Sequence, residues 1–358
     1  MKKRESNILK NMANKMIKNI FFIFFLLSCS QAQVKSRNLT QTSFGPIPEV
    51  FEEIEVGGLK YIKEGKTKVH HLSATSGLQF DGENFLAIAD DELFLGILKY
   101  NKETRHLEIG RPLNLFPTRS ALPKNENERK KIKPDLESLV YLGSQLYLAI
   151  PSGSTENRNI GVLIDLHAMS VQEVNFTPLY KEIKRNYFSE LNIEGAALYE
   201  DTLFILQRGN GSTGTNGLIQ LNYPLFLQQI KNNGTINRKV INKAQEIFLG
   251  KFKKVQLSFS DLFITEDGNM FFLATAEDNK STYTDGEFKG SVLGMLTKLE
   301  NEQFAVKWNI PFKKKIKAEG IWIEAKSDLY QVYFVTDNDN REVSGKMYQL
   351  DLPQSWTK

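Results

Sequence analysis

The sequence predicts an all-β protein folded as a single β-propeller of five blades. Two observations carry this prediction. Short apolar runs rich in β-branched and aromatic residues recur throughout the chain, whereas helical periodicity is sustained only over residues 179–191. One strand unit also recurs five times, and repeated four-stranded units that each bury two faces close naturally into a propeller.

Each copy of this unit contains an apolar strand, a tight turn, a second apolar strand, a polar cluster and a third strand. Its marker residues lie 57 to 66 positions apart, at Gly77, Ser138, Gly195, Asp261 and Gly320. The hairpin turns fall at the same place in every copy, at residues 81–82, 143–144, 200–201, 267–268 and 327–328. A period of about 60 residues suits four strands per blade with long loops.

Fourth strands are available for four of the copies, in residues 106–115, 171–177, 243–250 and 303–312. The last copy has none before the chain ends, and residues 54–62 have strand character without a partner. We expect these two ends of the chain to pair, because that pairing closes the ring and removes an open edge. Six blades is the alternative, if a long insert contains a degenerate blade. Residues 179–191 are predicted to form a short helix between blades.

The N-terminus has the layout of a secretory signal. A lysine-rich stretch precedes an apolar run at residues 20–27, which is shorter than the ~20 residues that cross a bilayer. The Leu-Leu-Ser-Cys that ends at Cys29 resembles a bacterial lipobox, in which the cysteine is acylated after cleavage. We therefore predict a lipoprotein signal peptide in residues 1–28, an acylated Cys29 and flexible tether in residues 29–48, and one propeller domain in residues 49–353. A plain cleaved signal with an incidental cysteine is the alternative.

Charge and cysteine content exclude several classes of protein. The formal net charge is +4, but without the first 28 residues the chain has 40 basic and 41 acidic residues, so no nucleic-acid partner is expected. The single cysteine excludes an intramolecular disulfide framework. We expect a monomer anchored by its lipid in the bacterial cell envelope, at the outer membrane or on the periplasmic face.

Polar residues mark two places in the repeated unit that converge around the central channel of a propeller. These are the start of the innermost strand and the end of the second strand. The strand starts carry Glu137, Glu194, Asp261 and Glu319, and the second-strand ends include Asp90, Arg208, Asn210, Glu277, Asp337, Asn338 and Asp339. The sequence therefore predicts a polar, largely acidic channel mouth.

Such a ring of carboxylates requires a cation or shared protons, because like charges raise one another's pKa. Oxygen ligands suit Ca²⁺ or Mg²⁺, so Ca²⁺ is the candidate cofactor, with the metal ligands predicted to be Glu194, Asp261, Glu319 and Asp339. A bound small molecule is expected to contact Glu137, Arg208, Asn210, Asp337 and Asn338. The candidate catalytic residues are Glu194, Glu319 and Arg208.

A structural interpretation of the same residues stays open. Acidic residues at strand starts can cap backbone N–H groups of the next blade, and Arg208 can form an internal salt bridge. Gly195 and Gly320, each directly after a glutamate, suggest a channel wall where a side chain would block a ligand.

Three sequence features suggest a known binding site but do not fulfil its requirements. Residues 209–214 spell G-x-G-x-x-G but join two strands rather than a strand and a helix. Residues 337–340 begin like a calcium loop, but Glu342 stands where that loop requires glycine. The four histidines show no metal-ligand spacing.

Several blocks resemble known propeller families. KPDLESLVYL, IPSGSTENRNIGVLIDL, LNIEGAALYEDTLFILQRGNG and AEGIW, within residues 73–352, look like an uncharacterised bacterial propeller lipoprotein family, a domain of unknown function. The SGL…IADD and IEGAAL units are more distantly similar to esterase-like phytases and gluconolactonase-type propellers. The second resemblance implies a metal-assisted hydrolase with carboxylate ligands, for which Glu194 and Glu319 stand at matching strand starts, whereas Thr75 and Ser260 depart from the pattern.

Three functions follow from these observations. The first is a lipid-anchored envelope propeller that binds a small polar or anionic ligand at the channel mouth, with Ca²⁺ as the candidate cofactor. The second is a metal-assisted hydrolase of a phosphate ester or lactone. The third is a scaffold for protein partners.

Overall fold

The computed structural model describes residues 51–210, 212–278, 287–338 and 340–357, and their strands form five sheets around a ring. The predictions for the signal peptide, Cys29 and the tether lie outside these residues. The first described strands are β1 (Ile54–Gly58) and the hairpin of β2 (Lys60–Ile62) and β3 (Val69–His71).

The first two blades follow this entry segment. Blade 1 contains β4 (Thr75–Phe80), β5 (Asn84–Ala89), β6 (Phe94–Asn101), β7 (His106–Leu107) and β8 (Arg111–Asn114), the last two both pairing with β6. Blade 2 contains β9 (Leu136–Gly143), β10 (Leu146–Pro151), β11 (Ile160–Asp165) and β12 (Ser170–Asn175).

The remaining blades repeat the same antiparallel order. Blade 3 contains β13 (Ile193–Tyr199), β14 (Thr202–Gln207), β15 (Gly217–Asn222) and β16 (Ile241–Glu246). Blade 4 contains β17 (Lys251–Phe252), β18 (Val255–Ile264), β19 (Met270–Asp278), β20 (Glu287–Lys298) and β21 (Phe304–Pro311). Blade 5 contains β22 (Lys317–Ala325), β23 (Leu329–Asp337) and β24 (Lys346–Pro353), with β1 as its outer strand.

The two ends of the chain close the ring as expected. Strand β1 runs antiparallel to β24, with Ile54 opposite Gln349 and Gly58 opposite Lys346. Only the first half of the predicted closing segment takes part, because Lys60–Ile62 turns away to pair with β3. The prediction of five blades closed by N- and C-terminal strands is confirmed, and a sixth sheet of blade size is absent from the described residues.

Five hydrophobic cores lie between neighbouring blades. In β5, Leu86 and Ile88 pack against Leu139 of blade 2, whereas Phe85 and the other alternate residues pack against Tyr333 of blade 5. Successive side chains of a strand point to opposite faces of its sheet, so a strand buried on both sides is a continuous apolar run. This is why the second strands of the copies are apolar throughout.

Glycines allow the innermost strands to approach closely at the ring centre. A Cβ built on Gly195 would lie 2.8 Å from backbone atoms of Asp261 in the next blade, and one on Gly320 would lie 2.9 Å from the backbone of Gly77. A Cβ on Gly77 would in turn lie 2.8 Å from Leu139 N. These glycines therefore make room for a neighbouring blade rather than for a ligand, which corrects the interpretation of Gly195 and Gly320 as a ligand-facing wall.

The described residues contain three α-helices, which connect strands of the propeller: α1 (Glu126–Ile132), α2 (Thr177–Asn186) and α3 (Tyr223–Asn233). Single-turn 3₁₀ helices occur at Glu156–Arg158, Arg238–Val240 and Gln354–Trp356. The predicted helix over residues 179–191 corresponds to α2, which ends earlier because Phe188 leaves the helix and packs on Gly217. Helices α2 and α3 cover the core between blades 2 and 3. In the part of the chain that the structure describes, every helix is too short or too polar to span a membrane.

Candidate functional site

A polar cavity of about 220 Å³ lies where the starts of the innermost strands meet the ends of the second strands. We call it the central mouth. It is lined by charged side chains from all five blades and from the segments around α1, including Asp90, Lys133, Asp135, Glu137, Arg158, Glu194, Arg208, Glu277, Lys317, Glu319 and Asp337. The convergence predicted from the repeat therefore occurs.

In blades 1, 2, 3 and 5, a β-bulge of the innermost strand contains a residue that lines the mouth. In β9 the bulge places Glu137 between two residues that pair normally, and in β13 it does the same for Glu194. The bulge in β22 contains Glu319, and that in β4 contains Ser76. A bulge adds one unpaired residue and redirects its side chain, so the repeated bulge aims one side chain of each strand differently from its neighbours.

The sequence predicted that Asp261 of blade 4 lines the mouth, and the strand register shows why it does not. The bulged residue of β18 is Ser260, whose Oγ donates to Ala318 O at 2.7 Å. Asp261 is shifted by one position, and a shift of one residue reverses the face of a strand. Its carboxylate accepts hydrogen bonds from the backbone N–H groups of Leu262 and of Ile321 in blade 5, each at 2.8 Å. Asp261 therefore joins blades and does not line the central mouth.

One network of ion pairs spans blades 3 to 5. The Arg208 guanidinium lies 3.1 Å from Glu194 Oε1 and 2.9 Å from Glu277 Oε2. Lys317 Nζ continues the network, at 3.3 Å from Glu277 Oε1 and 2.8 Å from Asp337 Oδ2. The salt bridge that the sequence left open for Arg208 is present, and it connects two blades.

A second network lies on the side of blades 1 and 2. Lys133 Nζ pairs with Asp90 Oδ2 and, at 2.8 Å, with Asp135 Oδ1. Arg158 Nη1 donates to the other oxygen of Asp135 at 2.7 Å, and the Ser152 hydroxyl donates to the same oxygen. Lysine and arginine thus supply the positive charge that the carboxylates require.

Glu137 lies beside both networks and belongs to neither. Its side chain lines the mouth, the residue is 9 % exposed, and no hydrogen bond or ion pair joins its carboxyl to another described residue. Burial, followed by the negative charges of Glu194, Asp135 and Asp90, raises the pKa of Glu137 well above its ordinary value. Burial and the neighbouring negative charges therefore disfavour the ionised form of this carboxyl, while Lys133 acts in the opposite direction.

The pKa values of two further glutamates of the mouth, Glu194 and Glu319, are also raised, although each has a cation nearby. Burial raises the pKa of Glu194 to about 7, against the opposing charge of Arg208. Burial likewise raises the pKa of Glu319, although Lys317 and Arg208 act to lower it. A carboxyl that titrates near neutral pH is suited to accept or donate a proton.

The structure places most of the predicted site residues at the mouth. Glu137, Glu194, Glu319, Arg208, Asn210 and Asp337 all line it. Asn338 does not, because its side-chain amide donates to Ser344 O at 2.6 Å in the following loop. Asp339 lies outside the described residues.

Sequence reasoning missed the cations Lys133, Arg158, Lys317 and Arg129, and the carboxylate Asp135. One signal was available for two of these, since Lys-Ile-Lys ends at Lys133 in the second copy and at Lys317 in the fifth. Both lysines turn out to bridge carboxylates at the mouth. Arg129, on α1, pairs with Glu92 at 2.9 Å and with Asp91.

The carboxylates that could share a metal ion differ from those predicted. Within the described segments, one group of three offers oxygens within 4.8 Å of one another: Asp90, Asp135 and Glu137. The Lys133 ammonium pairs with two of the three, so it stands where a bound cation would compensate their charge. Glu194 and Glu319 are outside this group.

The fold and the mouth define a five-bladed β-propeller with a charged central cavity. The chain belongs to the family DUF6929, a family of unknown function, whose model matches residues 71–352. This confirms the resemblance drawn from residues 73–352. Curated proteins gave no significant match.

Three solved structures align with most of this chain at low sequence identity. A luciferin-regenerating enzyme aligns over 86 % of this chain and 94 % of its own, with 11 % identity and a TM-score of 0.41. An auxiliary nutrient binding protein from Bacteroides thetaiotaomicron aligns over 83 % and 76 %, with 8 % identity and a TM-score of 0.37. A periplasmic gluconolactonase from Pseudomonas aeruginosa aligns over 78 % and 69 %, with 9 % identity and a TM-score of 0.32. At these values the similarities carry no argument about activity.

Proposed function

We propose that this protein binds a small polar molecule in the central mouth. The observation that carries the proposal is Glu137, a buried carboxyl that faces the cavity and has no hydrogen-bond or ion-pair partner among the described residues. Buried polar groups in native proteins are nearly always paired, and an unpaired one in a cavity therefore indicates a missing partner. A ligand in the mouth supplies that partner.

The rigidity of the surroundings supports binding rather than a purely structural role. Asp135 has hydrogen-bond or ion-pair partners from Lys133, Arg158 and Ser152, and Arg208 is fixed between two glutamates. Groups held in this way are positioned before a ligand arrives, which reduces the entropy lost on binding. Glu137 differs from these residues, because its carboxyl has no hydrogen-bond or ion-pair partner among the described residues.

We further propose that the propeller is held at the bacterial cell envelope by a lipid on Cys29. The proposal is supported by the apolar run of residues 20–27 and by the position of the single cysteine directly after it. A tether of about 20 residues would let the mouth face soluble molecules while the anchor stays in the membrane.

Hydrolysis is the second candidate function, and one observation favours it. Glu194, with a pKa of about 7, lies in the same mouth as Glu137, whose pKa burial raises well above its ordinary value. Two carboxyls whose environments differ in this way can serve as base and acid in one reaction. Candidate substrates are a phosphate ester or a lactone, as the sequence resemblance implies.

The two candidates are separated by measuring binding and turnover on the same proteins. Thermal unfolding of the wild type and of Glu137→Gln is followed in a panel of small metabolites, together with release of phosphate or opening of lactones. Binding predicts stabilisation by one or more compounds that Glu137→Gln loses, without turnover. Turnover that Glu194→Gln and Glu319→Gln abolish would establish the enzyme, and no compound acting through Glu137 would refute the binding proposal.

A further inference from the structure

The chemistry of the mouth also bears on the charge of the ligand, an inference that rests on the proposed binding function. The described cationic side chains of the mouth already interact with groups of the protein. Each of six cationic side chains has a carboxylate oxygen within 3.1 Å: Arg129, Lys133, Arg158, Arg208, Lys317 and Arg341. The seventh, Lys130, is also engaged. An anionic ligand would have to displace a carboxylate from one of these ion pairs, which is costly in a buried site.

The buried polar atoms of the mouth without a hydrogen-bond partner among the described residues include a guanidinium nitrogen, Arg208 Nε, and two oxygens, Asp90 Oδ1 and Asn210 Oδ1. The Glu137 carboxyl, which faces the cavity, also forms no hydrogen bond or ion pair with a described residue. Asp90, Glu137 and Asn210 come from three consecutive blades, and all line the same cavity. Carboxylate and amide oxygens accept hydrogen bonds, so the group that satisfies them is a donor.

The balance of charges in the mouth favours a cationic hydrogen-bond donor over a neutral one. Among the described residues, nine acidic and seven basic side chains line the mouth, so acidic groups are in excess there. Carboxylate oxygens of Asp90, Asp135 and Glu137 lie within 4.8 Å of one another, with Lys133 pairing only the first two. A hydroxyl would satisfy hydrogen bonds and leave this repulsion in place, whereas a cation removes both deficits.

We infer that the ligand of the central mouth carries a positively charged nitrogen, an ammonium or guanidinium group, which pairs with Glu137 beside Asp90. The ligand is thus an organic cation, and the expectation of an anionic ligand is replaced. Lys133 already makes the same kind of contact from within the chain, since its ammonium bridges Asp90 and Asp135.

The test compares three probes of equal chain length and different charge: putrescine, succinate and erythritol. Isothermal titration calorimetry is carried out with the full-length protein and each four-carbon compound, and with CaCl₂ as a metal-ion arm. We expect putrescine to bind and the other compounds not to bind. Glu137→Gln should weaken putrescine binding by about 30-fold or more, since a buried charge pair is lost. Glu128→Gln, an exposed glutamate on α1 outside the mouth, is the matched control and should bind as the wild type does.

Each other outcome contradicts the inference in a distinct way. Binding of succinate or erythritol that depends on Glu137, without putrescine binding, would keep the ligand site but overturn the cationic assignment. Calcium binding that depends on Glu137, without putrescine binding, would make the occupant a metal ion. Failure of all four probes at millimolar concentration would overturn the assignment of a simple cation, while the metabolite panel decides the binding function separately. Cooperative unfolding of Glu137→Gln establishes that the variant is folded.

Discussion

Glu137 and Glu194 occupy equivalent bulges in neighbouring blades, yet their surroundings differ. Glu194 accepts a hydrogen bond from Asn192 at 2.5 Å and lies 3.1 Å from Arg208. Glu137 forms no ion pair with any residue that the structure describes, and the nearby Lys133 pairs with Asp90 and Asp135 instead. The repeat therefore supplies the same residue type twice, and the local ion pairs give each copy different electrostatic surroundings.

This difference predicts how stability depends on pH. Since the pKa of Glu137 is raised in the folded protein, folding is favoured below the ordinary glutamate pKa and loses that contribution as pH rises towards the raised value. Glu137→Gln removes the contribution of this carboxyl to the pH dependence of stability. We expect the variant to be more stable than the wild type at pH 8, by about 1 kcal/mol or more, with a smaller difference at pH 5. Urea unfolding at both values measures this.

The matched control for that experiment is Glu128→Gln, which removes an exposed carboxylate and should change stability by less than about 0.5 kcal/mol at either pH. A Glu137→Gln variant less stable than the wild type at pH 8 would show that the carboxylate is ionised and paired.

At the scale of elements, the ring depends on close contact between innermost strands. Gly195 is the sharpest case, since its Cβ would lie 2.8 Å from the backbone of β18, which cannot rotate away as a side chain can. Replacement by alanine forces the two strands apart. We expect Gly195→Ala to lower the free energy of unfolding by about 1–3 kcal/mol, measured by urea unfolding.

Gly58→Ala is the control for this substitution. It also adds a methyl group to a strand, but its nearest neighbour would be Ser344 Oγ at 3.1 Å, a side-chain atom that can turn away. A loss of stability close to zero is expected there. Equal losses in the two variants would mean that close approach of the blades is not what requires Gly195.

Much of the element order was predictable from sequence, because strand alternation and turn residues are local signals. Helices α1 and α3 were not predicted, although the sequence contains capping residues for both. Asn125 and Asn222 cap them through their side chains, and Gly234 ends α3 in the left-handed conformation. Both helices are short inserts outside the repeated strand unit, so the repeat does not predict them.

The site was predictable only in part, for a physical reason. Which residues converge follows from the repeat, so Glu137, Glu194 and Arg208 could be assigned to the mouth. Ion pairing joins distant residues through loops of irregular length, as for Arg208 and Glu277, which are 69 positions apart. A bulge also moves a side chain by one position, and Asp261 was misplaced for that reason.

At the scale of the whole molecule, the propeller is one closed ring with its candidate site at one end of the channel. Its five cores lie between blades, so each blade is stabilised by two neighbours. Such a ring presents its mouth rigidly, and a flexible connection to an anchor would not disturb it.

Membrane attachment is predicted to depend on one atom, the Cys29 sulfur. Metabolic labelling with a palmitate analogue and fractionation should find the wild type acylated and in the membrane fraction. Cys29→Ser should be unlabelled and released, because no acylation can occur on a serine at this position. Ser30→Ala, the adjacent control, should behave as the wild type does. A Cys29→Ser protein that remained labelled and membrane-bound would contradict the anchor.

Ligand binding in the central mouth can be tested by a crystal structure of the purified protein, at a resolution that distinguishes water from larger molecules. We expect density for a bound molecule in the central mouth that donates hydrogen bonds to the Glu137 carboxyl and to Asp90 Oδ1. A mouth filled by water alone, with Glu137 paired to a side chain of the protein such as Lys133, would contradict it.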